Sequence, residues 1–140
     1  MHLIPNVLRA ALGHGHVVVF GTDYPTRDGS CVRDFVHVGD IARAHVAALD
    51  RIEKVAGKAY NLGTERGFSV LEVIQTAAEV TGLKVPMQTG VRRPGDPAVL
   101  VASSSRARND LDWKPQTPGL RDIIQTAWRW LEVHPDGYQR

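Results

Sequence analysis

Apolar stripes at helical spacing, separated by short β-branched runs, constrain this chain more than any other feature. Val7, Leu8, Ala11 and Leu12 follow Pro5 at helical spacing, and Gly13 is a stop. Val17 to Phe20 reads as a short buried strand closed by Gly21, and Asp23 to Ser30, with Pro25, Asp28 and Gly29, reads as a loop. Cys31 to Val38 is β-branched and aromatic, so a second extended segment is expected. Asp40 is a good N-cap for a helix whose stripe is Ile41, Ala44, Ala48, Ile52 and Val55, ending at Gly57.

Lys58 to Leu62 reads as a short strand. Ser69-Val70-Leu71-Glu72 is a capping box: the serine accepts a first-turn amide and the glutamate reaches back. Val70, Val73, Ile74, Ala77 and Val80 line the helix that follows, and Gly82 ends it. Val85 to Val91 reads as extended, and Arg92 to Pro97 as an irregular loop. Ser103 or Ser104 caps a short helix through Leu111. Thr117-Pro118 opens a last helix striped by Leu120, Ile123, Ile124, Ala127 and Leu131, and Pro135 stops it. Strand and helix alternate, which predicts an α/β fold. The strands are too few and too far apart to cover both faces of a parallel sheet, so further strands are expected outside this chain.

The 140 residues are one domain's worth, 43% hydrophobic and 23% charged. A net charge of +2 with no block of like charges gives no footing for nucleic acid or a membrane. The start shows no basic segment leading into a long apolar run, and Val17 to Phe20 is far too short to span a bilayer. The single cysteine, Cys31, has no internal disulfide partner, which fits a reducing cytoplasm.

Gly13, Gly15 and Gly21 are the closest approach to a dinucleotide fingerprint, but they precede a strand where the motif follows one. No tyrosine has a lysine four residues on: Asp28 follows Tyr24 at that distance, and Thr64 follows Tyr60. No catalytic, cofactor-binding or metal residue is therefore assigned, and the pair His14 and His16 is read as solvated. Cys31 is read as a buried strand residue, with activation by Arg33 as the alternative. Arg33 sits among apolar strand residues and needs an anion if it points inward. Its plain alternative is an ion pair with Asp34 or a more distant acid. Arg92 and Arg93, beside Asp96, offer guanidinium forks suited to phosphate oxygens. Their plain alternative is an exposed basic loop.

The stretch FGTDYPTRDGSCVRDFVHVGDIA, from Phe20 to Ala42, resembles UDP-glucose 4-epimerases, members of the extended short-chain dehydrogenase/reductases. The likeness continues through Tyr60-Asn61-Leu62-Gly63, Gly67-Phe68-Ser69-Val70, Arg92 to Pro97, Leu111 to Pro115 and His134 to Tyr138. Arg-Asp-Phe-Val-His-Val and Tyr-Asn-Leu-Gly mark the broader nucleotide-sugar group, and Asp-Tyr-Pro-Thr narrows it to the 4-epimerase. The resemblance implies the C-terminal substrate-binding lobe of the α/β fold, with edge elements of a missing Rossmann sheet. Residues 1–140 are then the UDP-sugar-binding part. The N-terminal Rossmann domain, with its glycine loop, NAD site, Tyr-x-x-x-Lys pair and most homodimer contacts, is absent.

In the family, hydride passes to NAD and returns to the other face of a 4-keto sugar, interconverting UDP-glucose and UDP-galactose. For this chain the resemblance implies substrate binding only, with no NAD bound, and a Rossmann-domain chain as complementing partner. His2 and Leu3 match the stretch near the diphosphate, although some members carry asparagine at the position of His2. Val18 and Phe20 match positions around the uracil. Arg33 and Arg93 match the diphosphate arginines, and Asp96 the acid near the ribose. Leu100 matches a position that limits the hexose substituent. Two other readings are a stand-alone UDP-sugar-binding module and a fragment of another nucleotide-sugar epimerase or dehydratase. The lone chain is expected to hold a small core between the two capped helices, with a looser N-terminal third.

Overall fold

The computed structural model describes residues 2–135 and Gly137. Asp136 and Tyr138 of the terminal motif lie outside the described residues. The architecture is α/β: among the described residues, six helices pack around two small sheets. Helix α1 (Leu3–Ala11) leads into β1 (Val17–Phe20), which pairs in parallel with β4 (Met87–Gly90). Along β1, Val17 and Val19 are buried while Val18 and Phe20 are half-buried, the period-two alternation of a strand with a core on one face. The second sheet has the order β3-β2-β5, from β3 (Gly67–Ser69), β2 (Val32–Asp34) and β5 (Val99–Leu100). There β2 runs antiparallel to β3 and parallel to β5.

The larger core joins Val7 and Leu8 of α1, Val17 and Val19 of β1, Val73 and Ala77 of α4 (Val70–Thr81), and Ile123 and Ile124 of α6 (Leu120–Val133). These are the stripes read from spacing, folded onto one another. Helix α1 closes the same core as α4 and α6, and Val7 and Leu8 have no exposed surface. A separate, smaller core holds Ala44, Val55, Ala107, Leu111 and Trp113, where α2 (Val38–Leu49) and α3 (Ile52–Val55) meet α5 (Ser105–Leu111).

Ser69 caps α4 through the full capping box with Glu72, and Gly82 ends it in the left-handed region at φ 69°. Other elements depart from expectation. The N-cap of α2 is His37, whose Nδ1 accepts the Gly39 amide at 3.0 Å. Asp40 lies inside the first turn and is fully buried. The predicted continuous helix to Val55 breaks at Asp50 and Arg51, so Val55 reaches the smaller core while Ile41 and Ile52 remain exposed. Helix α6 begins at Leu120, with Gly119 as N-cap, two residues beyond Pro118.

Lys58 to Leu62 forms no ladder among the described residues. Side chains hold this segment instead. Tyr60 and Leu62 pack on the smaller core, and the Tyr60 hydroxyl donates to Asp110 at 2.8 Å. The Arg106 guanidinium donates to the Ala59 carbonyl at 3.2 Å. Among the described residues no neighbouring strand supplies backbone partners for it.

Candidate functional site

Val17, Val18 and Phe20 of β1 and Arg33 of β2 line one cleft of about 640 Å³. Two loops shape it. The first, residues 21–31, is cinched to the start of α4. The Ser30 hydroxyl donates to Asp28 at 2.8 Å and accepts the Leu71 amide at 3.2 Å. Ser69 donates to the other Asp28 oxygen, Arg27 pairs with Glu72, and the Val70 amide donates to the Cys31 carbonyl at 3.0 Å. Gly29 is required where this loop folds back: at φ 81°, a Cβ would lie 2.1 Å from the Thr22 carbonyl oxygen. The second loop, residues 91–98, carries Arg93 and Asp96.

Six of the eight residues assigned from the sequence line this cleft: Leu3, Val18, Phe20, Arg33, Arg93 and Asp96. Arg33 is held in place. One guanidinium nitrogen donates to the carbonyls of Val32 and Pro97 at 2.8 and 2.9 Å, and another lies 3.6 Å from Asp96. The ion pair with Asp34 does not form, because adjacent strand residues face opposite ways. Asp34 instead accepts the Thr64 amide at 2.9 Å, the Thr64 hydroxyl at 2.6 Å, the Glu65 amide at 3.2 Å and the Ala102 amide at 3.3 Å. Arg93 lies over the Phe20 ring, 3.7 Å from its centroid. A guanidinium on an aromatic face is attracted by the ring quadrupole and keeps its hydrogens free for an anion.

The other two assigned residues stand apart. His2 is exposed at the start of α1 and lines a smaller neighbouring hollow with Leu3 and Asp34. Leu100 pairs with Arg33 in the sheet register but is not among the lining of the main cleft, and its side chain is exposed.

Eight lining residues were not assigned to the cleft from sequence: Asn6, Arg9, His14, His16, Val17, Cys31, Phe35 and Val70. The histidines sit on the turn between α1 and β1, and only the fold shows that this turn borders the cleft. Among the described residues no group of three or more His, Cys, Asp or Glu is placed to hold a metal ion. The electrostatics beside the cleft are set by Arg92. It pairs with Asp23 through Nε at 2.7 Å, and that bond above all holds the Asp23 carboxyl below its ordinary range. Burial raises the Tyr24 pKa, and neighbouring Cys31 adds to the rise.

A dinucleotide site needs a strand that passes through a glycine-rich turn into a helix N-terminus. The strand-to-helix junctions among the described residues are β2 to α2, β3 to α4 and β5 to α5. The first turns through Phe35, Val36 and His37, the second runs directly into the Ser69 capping box, and the third passes through Val101 to Ser104. None carries a glycine turn, so the residues present do not fit a dinucleotide, and no hydride step is derived from them.

Residues 1–63 match the model of the NAD dependent epimerase/dehydratase family. A UDP-glucose 4-epimerase of Lactobacillus helveticus is 47% identical over 140 residues, which are 99% of this chain and 42% of that protein. Over residues 1–63 the chain is similar to members of the NAD dependent epimerase/dehydratase family. Within it, the likeness is to the C-terminal part of the UDP-glucose 4-epimerases, which are isomerases. A UDP-glucose 4-epimerase crystal structure superposes with a TM-score of 0.92 at 43% identity, over all of this chain and 43% of that one. The Bifidobacterium longum UDP-glucose 4-epimerase, solved with NAD+ and UDP, gives 0.89 at 40% identity, over 98% of this chain and 41% of that one. The chain thus spans about two-fifths of the length of the epimerases it matches. No helix among the described residues is long and apolar enough to cross a membrane.

Proposed function

We propose that this chain supplies the UDP-sugar-binding part of a UDP-glucose 4-epimerase, taking UDP-glucose and UDP-galactose in the cytoplasm. The observation that carries this reading is that Arg33 and Arg93, with Asp96, line the same cleft as Val18 and Phe20. In this reading Val18 and Phe20 present an apolar surface to the uracil, and the two guanidinium groups take the diphosphate. Asp96 takes the ribose hydroxyls. Arg33 is already fixed by the Val32 and Pro97 carbonyls, so little side-chain freedom remains to be lost on binding. Leu100, on the strand beside Arg33, is assigned to the boundary of the hexose, and His2 with Leu3 to the diphosphate end.

The cleft's groups are suited to holding and orienting a nucleotide diphosphate. The proton-abstracting base and the NAD site are assigned to sequence outside these residues. A Rossmann part would also cover the exposed apolar side chains of Val38, Leu49 and Ile52 on α2 and α3. Calorimetry with UDP tests the reading. Wild-type protein binds UDP, and Arg93→Ala weakens that binding by about 1.5–3 kcal/mol, the worth of hydrogen bonds to a charged group. Equal heats for both proteins refute the assignment. In a coupled assay the purified chain alone does not interconvert UDP-glucose and UDP-galactose, and acid extraction releases no stoichiometric NAD.

A further inference from the structure

The loop that carries Arg93 and Asp96 begins with a second arginine that is not among the residues lining the cleft. Arg92 lies over the Tyr24 ring, 4.2 Å from its centroid. It donates from Nε to Asp23 Oδ1 at 2.7 Å and from a terminal nitrogen to the Asp23 carbonyl at 2.5 Å. Tyr24 is a firm platform, with only 6% of its surface exposed. The stem of Arg92 and the edge of that ring close on the backbone of Gly21. At φ 80°, a Cβ on Gly21 would lie 2.6 Å from Tyr24 Cε2 and 2.7 Å from Arg92 Cγ. The Gly21 amide in turn donates to the Gly90 carbonyl at 2.9 Å, just past the β1–β4 ladder. Arg92 therefore grips the loop leaving β1 at the place where both strands end.

The next residue, Arg93, lies over Phe20, the last residue of β1. Among the described residues Arg93 makes no ion pair or side-chain hydrogen bond, so its position depends on where the backbone of the loop is held. We propose that Arg92 is a positioning residue. By clamping the 91–98 loop to Asp23 and Tyr24, it holds the Arg93 guanidinium over Phe20, where a nucleoside diphosphate is received. This rests on the UDP-binding reading of the cleft and adds to it the residue that pre-orients the anion contact. The Arg92 and Asp23 side chains are 45% and 74% exposed, so the ion pair by itself adds little to global stability. The clamp is felt in binding, where a loosened loop must be ordered again.

A double-mutant cycle on this chain tests it, with UDP affinity read by calorimetry and thermal melting as the folding control. Arg92→Ala melts near wild type but binds UDP about fivefold more weakly. In an Arg93→Ala background the same change weakens UDP binding by clearly less than fivefold, because only the Asp96 contact remains on the loop to be positioned. Arg92→Lys keeps the charge opposite Asp23 without the planar stack or the two-pronged grip, and recovers part of the loss. If Arg92→Ala fails to fold, Asp23→Ala loosens the same clamp from the other side, removing the acceptor of the Nε bond, and enters the same cycle. UDP affinity unchanged by Arg92→Ala, or weakened equally with and without Arg93, overturns the positioning role while the UDP site stands. No UDP binding by the wild-type protein overturns the site and this inference together.

Discussion

Asp40 has no exposed surface, and its two carboxylate oxygens accept the backbone amides of Gln116 and Thr117 at 2.7 and 3.0 Å. Arg43 pairs with the same carboxylate, and the indole of Trp113 donates to the Asp40 carbonyl at 2.8 Å. One side chain thus ties the first turn of α2 to the segment before α6. Asp40→Ala strands two amides and the Arg43 charge, and a urea titration should show a loss of about 3 kcal/mol. The sequence makes Asp40 an N-cap because its residue type and place before a stripe fit that role. Its true partners lie more than seventy positions away and leave no trace in local spacing. The direction of Asp34 was within reach of local rules, since neighbours on a strand face apart. Gathering Val18, Phe20, Arg33, Arg93 and Asp96 at one cleft lay beyond spacing and came from the family likeness, because those residues sit on two separate sheets and a loop.

Helix α4 was the most legible element because its signals are contiguous: a capping box, a 3.6-residue stripe and a terminal glycine. Ser69→Ala removes the cap and the bond to Asp28, and chemical denaturation should register a cost of about 1–2 kcal/mol. Strands β3 and β5 escaped notice because three and two residues are too few to display a period. The loop over residues 21–31 brings a pH dependence. Burial acts most strongly on Asp28 and raises its pKa. Hydrogen bonds from Ser69 and from the Ser30 amide and hydroxyl, with the charge of Arg27, outweigh it and leave the carboxyl below its ordinary value. The folded state then holds this proton less tightly than the unfolded chain. Its contribution is complete above the ordinary carboxylate range and is lost as pH falls through the lowered value. Urea midpoints should drop on acidification below about pH 4, and Asp28→Asn should flatten that limb.

At the scale of the whole molecule, the two cores are unequal. The larger joins α1, β1, α4 and α6, while the smaller rests on Ala44, Val55, Ala107, Leu111 and Trp113, with exposed apolar residues such as Val38 and Leu49 on its outer helix. Amide hydrogen exchange should be slowest in α1, α4 and α6 and fastest from α3 through residue 66. Equal protection of both regions would contradict this. The stripes were readable as helices, but whether they shared one core or two depended on the chain's path, which periodicity does not encode. That path has a temporal consequence. Val17 pairs with Met87, so the ladder beneath the cleft closes across seventy residues, and Arg93 and Asp96 follow later still. Contacts so distant in sequence form slowly. During synthesis, one wall of the cleft leaves the ribosome long before the other exists. A ligand of this cleft therefore cannot guide the early collapse of the chain, and only a finished fold has a place for one.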